Sequence, residues 1–351
     1  MKILLVGENY NGTALESIYN NLIKLNIDTE VLNTHELFRA SFTNRVLNKF
    51  LKVPYYYGRG VKNINKIVLK KASGKDFDFV FFVKPIFIYP GTISEIKKHA
   101  KVVGFYLDHI DFPKSGSNYF YKSLSLFDLY FMSMLTVKEA AEATDKFGSK
   151  IISLPFHNAD SACCYPIIAA DDKEKLGADI VFLGTHANER RMEYSERLCR
   201  DGYDIKIYGN GWNWHKLPWN SCLRRQKRII PGNKPCEEMA KIINSSKIIL
   251  AFMRDHNNEV TAWRTYEIPL CGGFMLHQRT KEAEQLLAPD KEAVFFGSYD
   301  EMRDKIDFYL QHSELRDKIA KAGRERILNC GALNINQVKK MVEILKNEFG
   351  G

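Results

Sequence analysis

Two carboxylates and a guanidinium share one short stretch, Glu259-Val-Thr-Ala-Trp-Arg264-Thr-Tyr-Glu267. Glu259 and Glu267 are eight residues apart, roughly two turns of helix, so the spacing can put both on one face. Glu259 then falls near the helix N-terminus, where unpaired backbone N–H groups attract anions. Arg264 adds a fixed cation whose planar fork suits a phosphate. The competing reading is a surface helix with an ordinary i,i+3 pair between Arg264 and Glu267.

Three more stretches could carry chemistry. Phe182-Leu183-Gly184-Thr185 reads as a strand ending in a glycine turn, with Arg190 and Arg191 on the next helix. Glycine there lets backbone approach a ligand, the helix start can hold phosphate, and the arginines could reach a diphosphate. A plain β–α turn is the alternative. Tyr208-Gly209-Asn210-Gly211-Trp212 repeats the pattern after the next strand. Its indole could cover a flat base or sit in the core. Asp108 follows the apolar strand ending at Leu107. A carboxylate at a strand end can take a proton from an attacking hydroxyl, or it can cap a turn. His157 and Asn158 are lesser candidates.

Positioning these residues requires strands that alternate with helices. Apolar runs of strand length fit 2–6, 29–32, 79–83, 102–107, 129–133 and 151–154. A second series fits 180–183, 205–208, 247–252, 274–276 and 293–296. Segments of helical period lie between them, among them 14–25, 137–147, 189–200, 261–270 and 334–348. The helix before Gly272 and Gly273 stops at that pair. This is an α/β chain with parallel sheets, in two Rossmann-like halves around the linker 165–177. Ligands of such sheets bind at strand C-terminal ends, which places a cleft between the halves.

Composition narrows the function. The chain has 351 residues, 45% hydrophobic and 26% charged, which argues against disorder and fibrous structure. No apolar run nears the ~20 residues of a membrane span, and the N-terminus is too short for a signal peptide. A cytoplasmic location is expected. Seven cysteines without a Cys-x-x-Cys pair suggest reduced thiols and no zinc site. The net charge is 51 − 42 = +9. Much of the excess lies in 39–75, with ten basic residues, no acid, Phe42, Phe50 and Tyr55-Tyr56-Tyr57. No nucleic-acid-binding module is present, so the segment reads as an insertion facing anionic lipid, or as a solvated helical pair.

The second half resembles the CgeB-like (spore maturation protein CgeB) glycosyltransferases of the GT-B superfamily. The resemblance rests on Phe182-Leu183-Gly184-Thr185, Tyr208-Gly209-x-Gly211-Trp212, Arg264-Thr-Tyr-Glu267-Ile-Pro-x-Cys-Gly272-Gly273-Phe274, Glu292-Ala-Val-Phe-Phe296 and Ala322-Gly-Arg-Glu-Arg326. It covers about 176–330 well and the N-terminal half more loosely.

The resemblance implies an α/β GT-B fold, two Rossmann-like domains facing a central cleft. Residues 1–165 would bind the acceptor, 176–330 would bind the nucleotide-sugar, and a helix in 331–351 would pack back on the first domain. Glu267 would hold ribose hydroxyls and Glu259 would face the donor sugar. Gly184, Thr185, Arg190, Tyr208, Gly209, Gly211, Trp212, Gly272 and Gly273 would line the donor site. Catalysis would fall to Asp108, Glu259 and Arg264. No metal and no cofactor is expected beyond a nucleotide-diphosphate sugar as substrate. The acceptor would be a glycan or a lipid-linked molecule, with peripheral contact at the inner membrane face and a role in surface-polysaccharide synthesis. A nucleotide-sugar epimerase and a non-catalytic carbohydrate- or nucleic-acid-binding protein are the rival readings.

Overall fold

The structure, a computed structural model, describes residues 1–39, 59–108, 118–157, 159–166, 173–186, 189–212, 217–232, 234, 236–253 and 261–350. The chain divides into two compact units. One comprises Met1–Phe156 with Asn334–Gly351, the other His157–Leu333.

The N-terminal unit holds six parallel strands: β1 (Lys2–Gly7), β2 (Asp28–Asn33), β3 (Phe79–Val83), β4 (Lys101–Tyr106), β5 (Leu129–Met132) and β6 (Lys150–Ser153). Their order is β2-β1-β3-β4-β5-β6. Alternate residues serve opposite faces, as strand geometry demands. Leu4, Val6, Val80 and Phe82 pack on one side, while Ile3, Leu5, Phe79 and Phe81 pack on the other. Burial on both faces is why these strands read as unbroken apolar runs. The helix Asn334–Phe349 returns to this unit. Its Val338, Met341, Val342 and Leu345 join Leu15, Ile18 and Leu22 in one core. Asn334 donates to Ser17 at 2.7 Å, and Lys150 pairs with Glu348 at 2.6 Å.

The C-terminal unit repeats the plan with β7 (Ile180–Leu183), β8 (Ile205–Tyr208), β9 (Ile229–Ile230), β10 (Ile248–Ala251), β11 (Met275–Gln278) and β12 (Val294–Phe296). Their order is β12-β11-β10-β7-β8-β9. Strand order reverses direction at β1/β3 in the first sheet and at β7/β10 in the second. Such switch points open a crevice at the strand C-termini.

The basic segment is in part a helix, Arg59–Ser73. Val61, Ile64, Val68 and Ala72 are buried, while Lys62, Lys66 and Lys70 are exposed. Lys71 and Lys75 both bind Glu30, at 2.5 and 2.6 Å. They hold its carboxyl down at about 2. Phe42, Arg45, Lys49, Phe50, Lys52 and Tyr55–Tyr57 lie outside the described residues. No helix among the described residues is long and apolar enough to cross a membrane.

The expectation of reduced thiols is corrected. Cys163 is bonded to Cys236 and Cys199 to Cys222. The pairs are 73 and 23 residues apart in sequence, so they match no local spacing motif. The fold brings their Cα atoms to 4.1 and 5.9 Å, within or close to bonding range. Cys164, Cys271 and Cys330 remain free thiols.

Candidate active site

Three chain segments meet at the C-terminal edge of β7, β8 and β10. Gly184 and Thr185 follow β7, Gly209 to Trp212 follow β8, and Phe252 and Met253 follow β10. The first two loops are laced together. Gly184 N–H donates to the Tyr208 carbonyl at 2.9 Å, and His186 N–H to that of Asn210 at 3.0 Å. Any side chain on Gly209 would strike the Gly184 carbonyl, so glycine is required for this approach.

Arg191 locks the base of the same edge. It is 4% exposed and lies over the Phe182 ring at 5.5 Å. It donates to the carbonyls of Thr185 at 3.1 Å and Phe252 at 2.9 Å. The arginine expected to reach a diphosphate instead joins the ends of β7 and β10. Arg190, one residue earlier and half-buried, is on the first turn of the helix Glu189–Arg200.

The helix Trp263–Leu270 starts at this edge. Arg264 donates through Nε to the Leu183 carbonyl at 3.0 Å. Its Nη1 binds the Glu267 carboxylate and touches the Met239 sulfur at 2.9 Å. The i,i+3 pair therefore exists but is not a surface pair, because Glu267 is 2% exposed.

The helix start is held by a directed chain of hydrogen bonds. Ala262 N–H donates to the Thr265 hydroxyl at 3.1 Å, and that hydroxyl bonds His277 Nε2 at 2.8 Å. His277 Nδ1 faces the Gln278 carbonyl at 2.5 Å. A carbonyl can only accept, so Nδ1 carries the proton and Nε2 accepts from threonine. Burial drives His277 down to about 4, so it is neutral at pH 7. His157 stacks on Tyr266 with ring centroids 4.1 Å apart, and burial brings it to about 4 as well. Neither His277 nor the Thr265 hydroxyl was singled out by sequence. A histidine inside an apolar strand and a threonine in a helix carry no motif of their own.

In the N-terminal unit Asp108 lies past the C-terminal end of β4, beside the end of β3. Lys84 Nζ is 2.6 Å from its Oδ2. Lys84 immediately precedes Pro85 and has φ +53°. A left-handed L-residue costs about 1–2 kcal/mol, and a following proline disfavours helical conformations further. A half-exposed ion pair returns about 0–1 kcal/mol. The pair alone does not account for the backbone that presents it. No motif marked Lys84 in the sequence.

Several expectations need correction. Trp212 is 5% exposed, edge-on to Phe182, and donates to the Gly184 carbonyl at 2.9 Å. Its ring braces the loop from within the core and does not offer a face to a base. Tyr208 is buried, its hydroxyl held by the Leu176 carbonyl at 2.6 Å, so only its backbone serves the edge. Gly272, at φ +77°, and Gly273 follow the far end of the helix Trp263–Leu270 and precede β11. They lie at the N-terminal edge of the sheet, away from the site, because the helix runs back against the strands. Gly211, at φ +81°, remains at the site edge, packed near His186. Glu259 and Asn158 lie outside the described residues. Among the described residues no group of three or more His, Cys, Asp or Glu could hold a metal ion.

Comparison with solved structures gives the fold. A glycosyltransferase from Rickettsia africae aligns with TM-score 0.59 at 14% identity, covering 100% of this chain and 99% of that one. Anabaena HepE, in complex with UDP and glucose, aligns at 0.58 and 11%, covering 99% of each. TarM from S. aureus, in complex with UDP and alpha-GlcNAc-glycerol among other ligands, aligns at 0.62 and 11%, covering 100% of each. No curated protein matches by sequence. The chain has the GT-B fold, and its residues 184–342, which begin at the β7 turn and include Arg264 and Glu267, match the glycosyl transferase-like family model.

Proposed function

We propose that the protein is a glycosyltransferase that moves a sugar from a nucleotide diphosphate to a hydroxyl acceptor. The observation that carries this is the overlap of the family match, 184–342, with the β7/β10 switch point and the helix bearing Arg264 and Glu267. The C-terminal unit binds the donor, its backbone turns at Gly184, Thr185, Gly209 and Gly211 meeting nucleotide and diphosphate. Glu267 is the ribose ligand, and Arg190 with Arg264 balances charge on the departing diphosphate. The bond from sugar C1 to diphosphate oxygen breaks, and C1 bonds to the acceptor oxygen. The acceptor proton leaves to Asp108, or to the diphosphate itself if configuration is retained.

The finer reading extends the CgeB-like resemblance to a metal-independent enzyme of surface-polysaccharide synthesis. It works at the inner membrane face, with Lys62, Lys66 and Lys70 toward anionic lipid. The ligands of HepE and TarM make uridine nucleotides the first donors to try. The test is thermal unfolding with UDP, ADP, GDP and their glucose and N-acetylglucosamine conjugates. A ligand bound only by the native state raises the midpoint. One nucleotide series should do so, and its conjugate should release sugar to an acceptor pool. No shift with any nucleotide would defeat the donor reading.

A further inference from the structure

We propose that Lys84 and Asp108, with Tyr10 farther along the same strand-end edge, form a subsite for an acceptor sugar carrying a carboxylate or phosphate near its reacting hydroxyl. This rests on the glycosyltransferase reading and names the substrate class of its acceptor side.

The switch point of the N-terminal sheet lies between β1 and β3, and the crevice of such sheets opens at the strand C-termini there. Lys84 is the first residue after β3, Tyr10 is in the turn after β1, and Asp108 comes just past β4. Neighbouring strands are about 4.8 Å apart, so the three residues line one edge. Lys84 N–H is held by the Phe105 carbonyl at 2.8 Å, and the Lys84 carbonyl accepts from Ile86 N–H at 2.8 Å. The left-handed residue is thus fixed in place.

Lys84 and Asp108 are partly exposed, 40% and 28% by side chain. An ammonium has three N–H donors; the Asp108 contact needs one, leaving others for a second anion. Tyr10 is 47% exposed and tilted against His35 with ring centroids 5.0 Å apart, an aromatic surface of the kind that packs on a sugar ring. Strain held at a strand end by surrounding hydrogen bonds is characteristic of ligand clamps. An anionic acceptor group on Lys84 places a neighbouring hydroxyl beside Asp108.

Calorimetric titration of the full chain with UDP at saturation tests this. The probes are methyl β-D-glucoside, methyl β-D-glucuronide and glucose 6-phosphate. The proposal expects one or both anionic probes to bind about tenfold or more tighter than the neutral one, the worth of a charge-assisted hydrogen bond. The preference should vanish in Lys84→Met and persist in Lys84→Arg. A preference for glucuronide points to a carboxylate, one for the sugar phosphate to a phosphate. Equal binding of all three probes overturns the proposal, as does an anion preference that survives in Lys84→Met. The heat of UDP binding is read separately. Its absence counts against the donor reading, while the probe titrations still decide the acceptor charge.

Discussion

Partly exposed Arg264 pairs with the buried Glu267 within one turn of the helix Trp263–Leu270, and the same guanidinium grips the Leu183 carbonyl at the end of β7. The pair therefore ties the helix to the strand edge. Removing Arg264 would strand the buried Glu267 carboxylate, at about 3–5 kcal/mol, and removing Glu267 empties a buried position. Glu267→Ala would mix instability with any loss of ribose binding. Glu267→Gln keeps the shape and an acceptor oxygen. It should weaken UDP binding by about 1.5–3 kcal/mol, the value of a charged hydrogen bond, with a smaller fall in melting temperature than Glu267→Ala. UDP affinity equal to wild type by calorimetry would remove Glu267 from the ribose.

Arg264 bears on the metal question too. If Arg190 and Arg264 neutralise the leaving diphosphate, turnover should survive dialysis against EDTA. Arg264→Lys should be impaired, since lysine cannot span Leu183 and Glu267 with one planar fork. Turnover lost on chelation and regained with magnesium or manganese would show that a metal supplies this charge.

Asp108→Asn should lower turnover by roughly 10²–10⁴-fold, the usual range for a general base, with donor affinity unchanged. The amide still packs beside Lys84 but cannot take the proton. A near-normal rate would point to the diphosphate as base and to a retaining reaction.

The sheets were legible because strands buried on both faces are continuous apolar runs, and eleven of the twelve begin and end close to their expected places. The two-residue β9 is too short to show a period. The site was less legible. Gly272 and Gly273 read as ligand glycines, yet their position follows from the helix running back across the sheet, which sequence spacing does not reveal. Trp212 has the composition of a stacking ring and the environment of a core residue. Lys84, Arg191 and His277 act through tertiary partners 24, 61 and 12 residues away, so no local pattern announces them.

Acid should destabilise the fold within a defined window. Burial lowers His157 and His277 from 6.5 to about 4. Above pH 6.5 both are neutral folded or unfolded, and their contribution is constant. Between 6.5 and about 4 only the unfolded chain takes the protons, so stability falls as pH falls, by about 1.4 kcal/mol per histidine per pH unit. Glu30 does not interfere, because its loss begins only below its ordinary value of 4.5. Urea unfolding at pH 7.5, 6.0 and 5.0 should show the decline, and His157→Phe, which keeps the stack on Tyr266, should roughly halve it. An unchanged slope in that variant would mean that His157 is protonated in the native state.

The helix Arg59–Ser73 frames the membrane prediction. Of the cations in 39–75, Lys71 and Lys75 are spent on Glu30, whereas Lys62, Lys66 and Lys70 recur every four residues on the exposed face. Each basic residue near an anionic bilayer is worth about 1 kcal/mol, so three give weak, reversible and salt-sensitive attachment. Sedimentation with phosphatidylglycerol vesicles at low salt should carry the protein down. Raising the salt, replacing the lipid with phosphatidylcholine, or introducing Lys62→Glu, Lys66→Glu and Lys70→Glu together should leave it in the supernatant. Lys71 is kept, since its loss would disturb Glu30 and the packing against β2. If the wild-type protein stays in solution with both lipids, the exposed row is a solvated helix face and the acceptor reaches the enzyme from water.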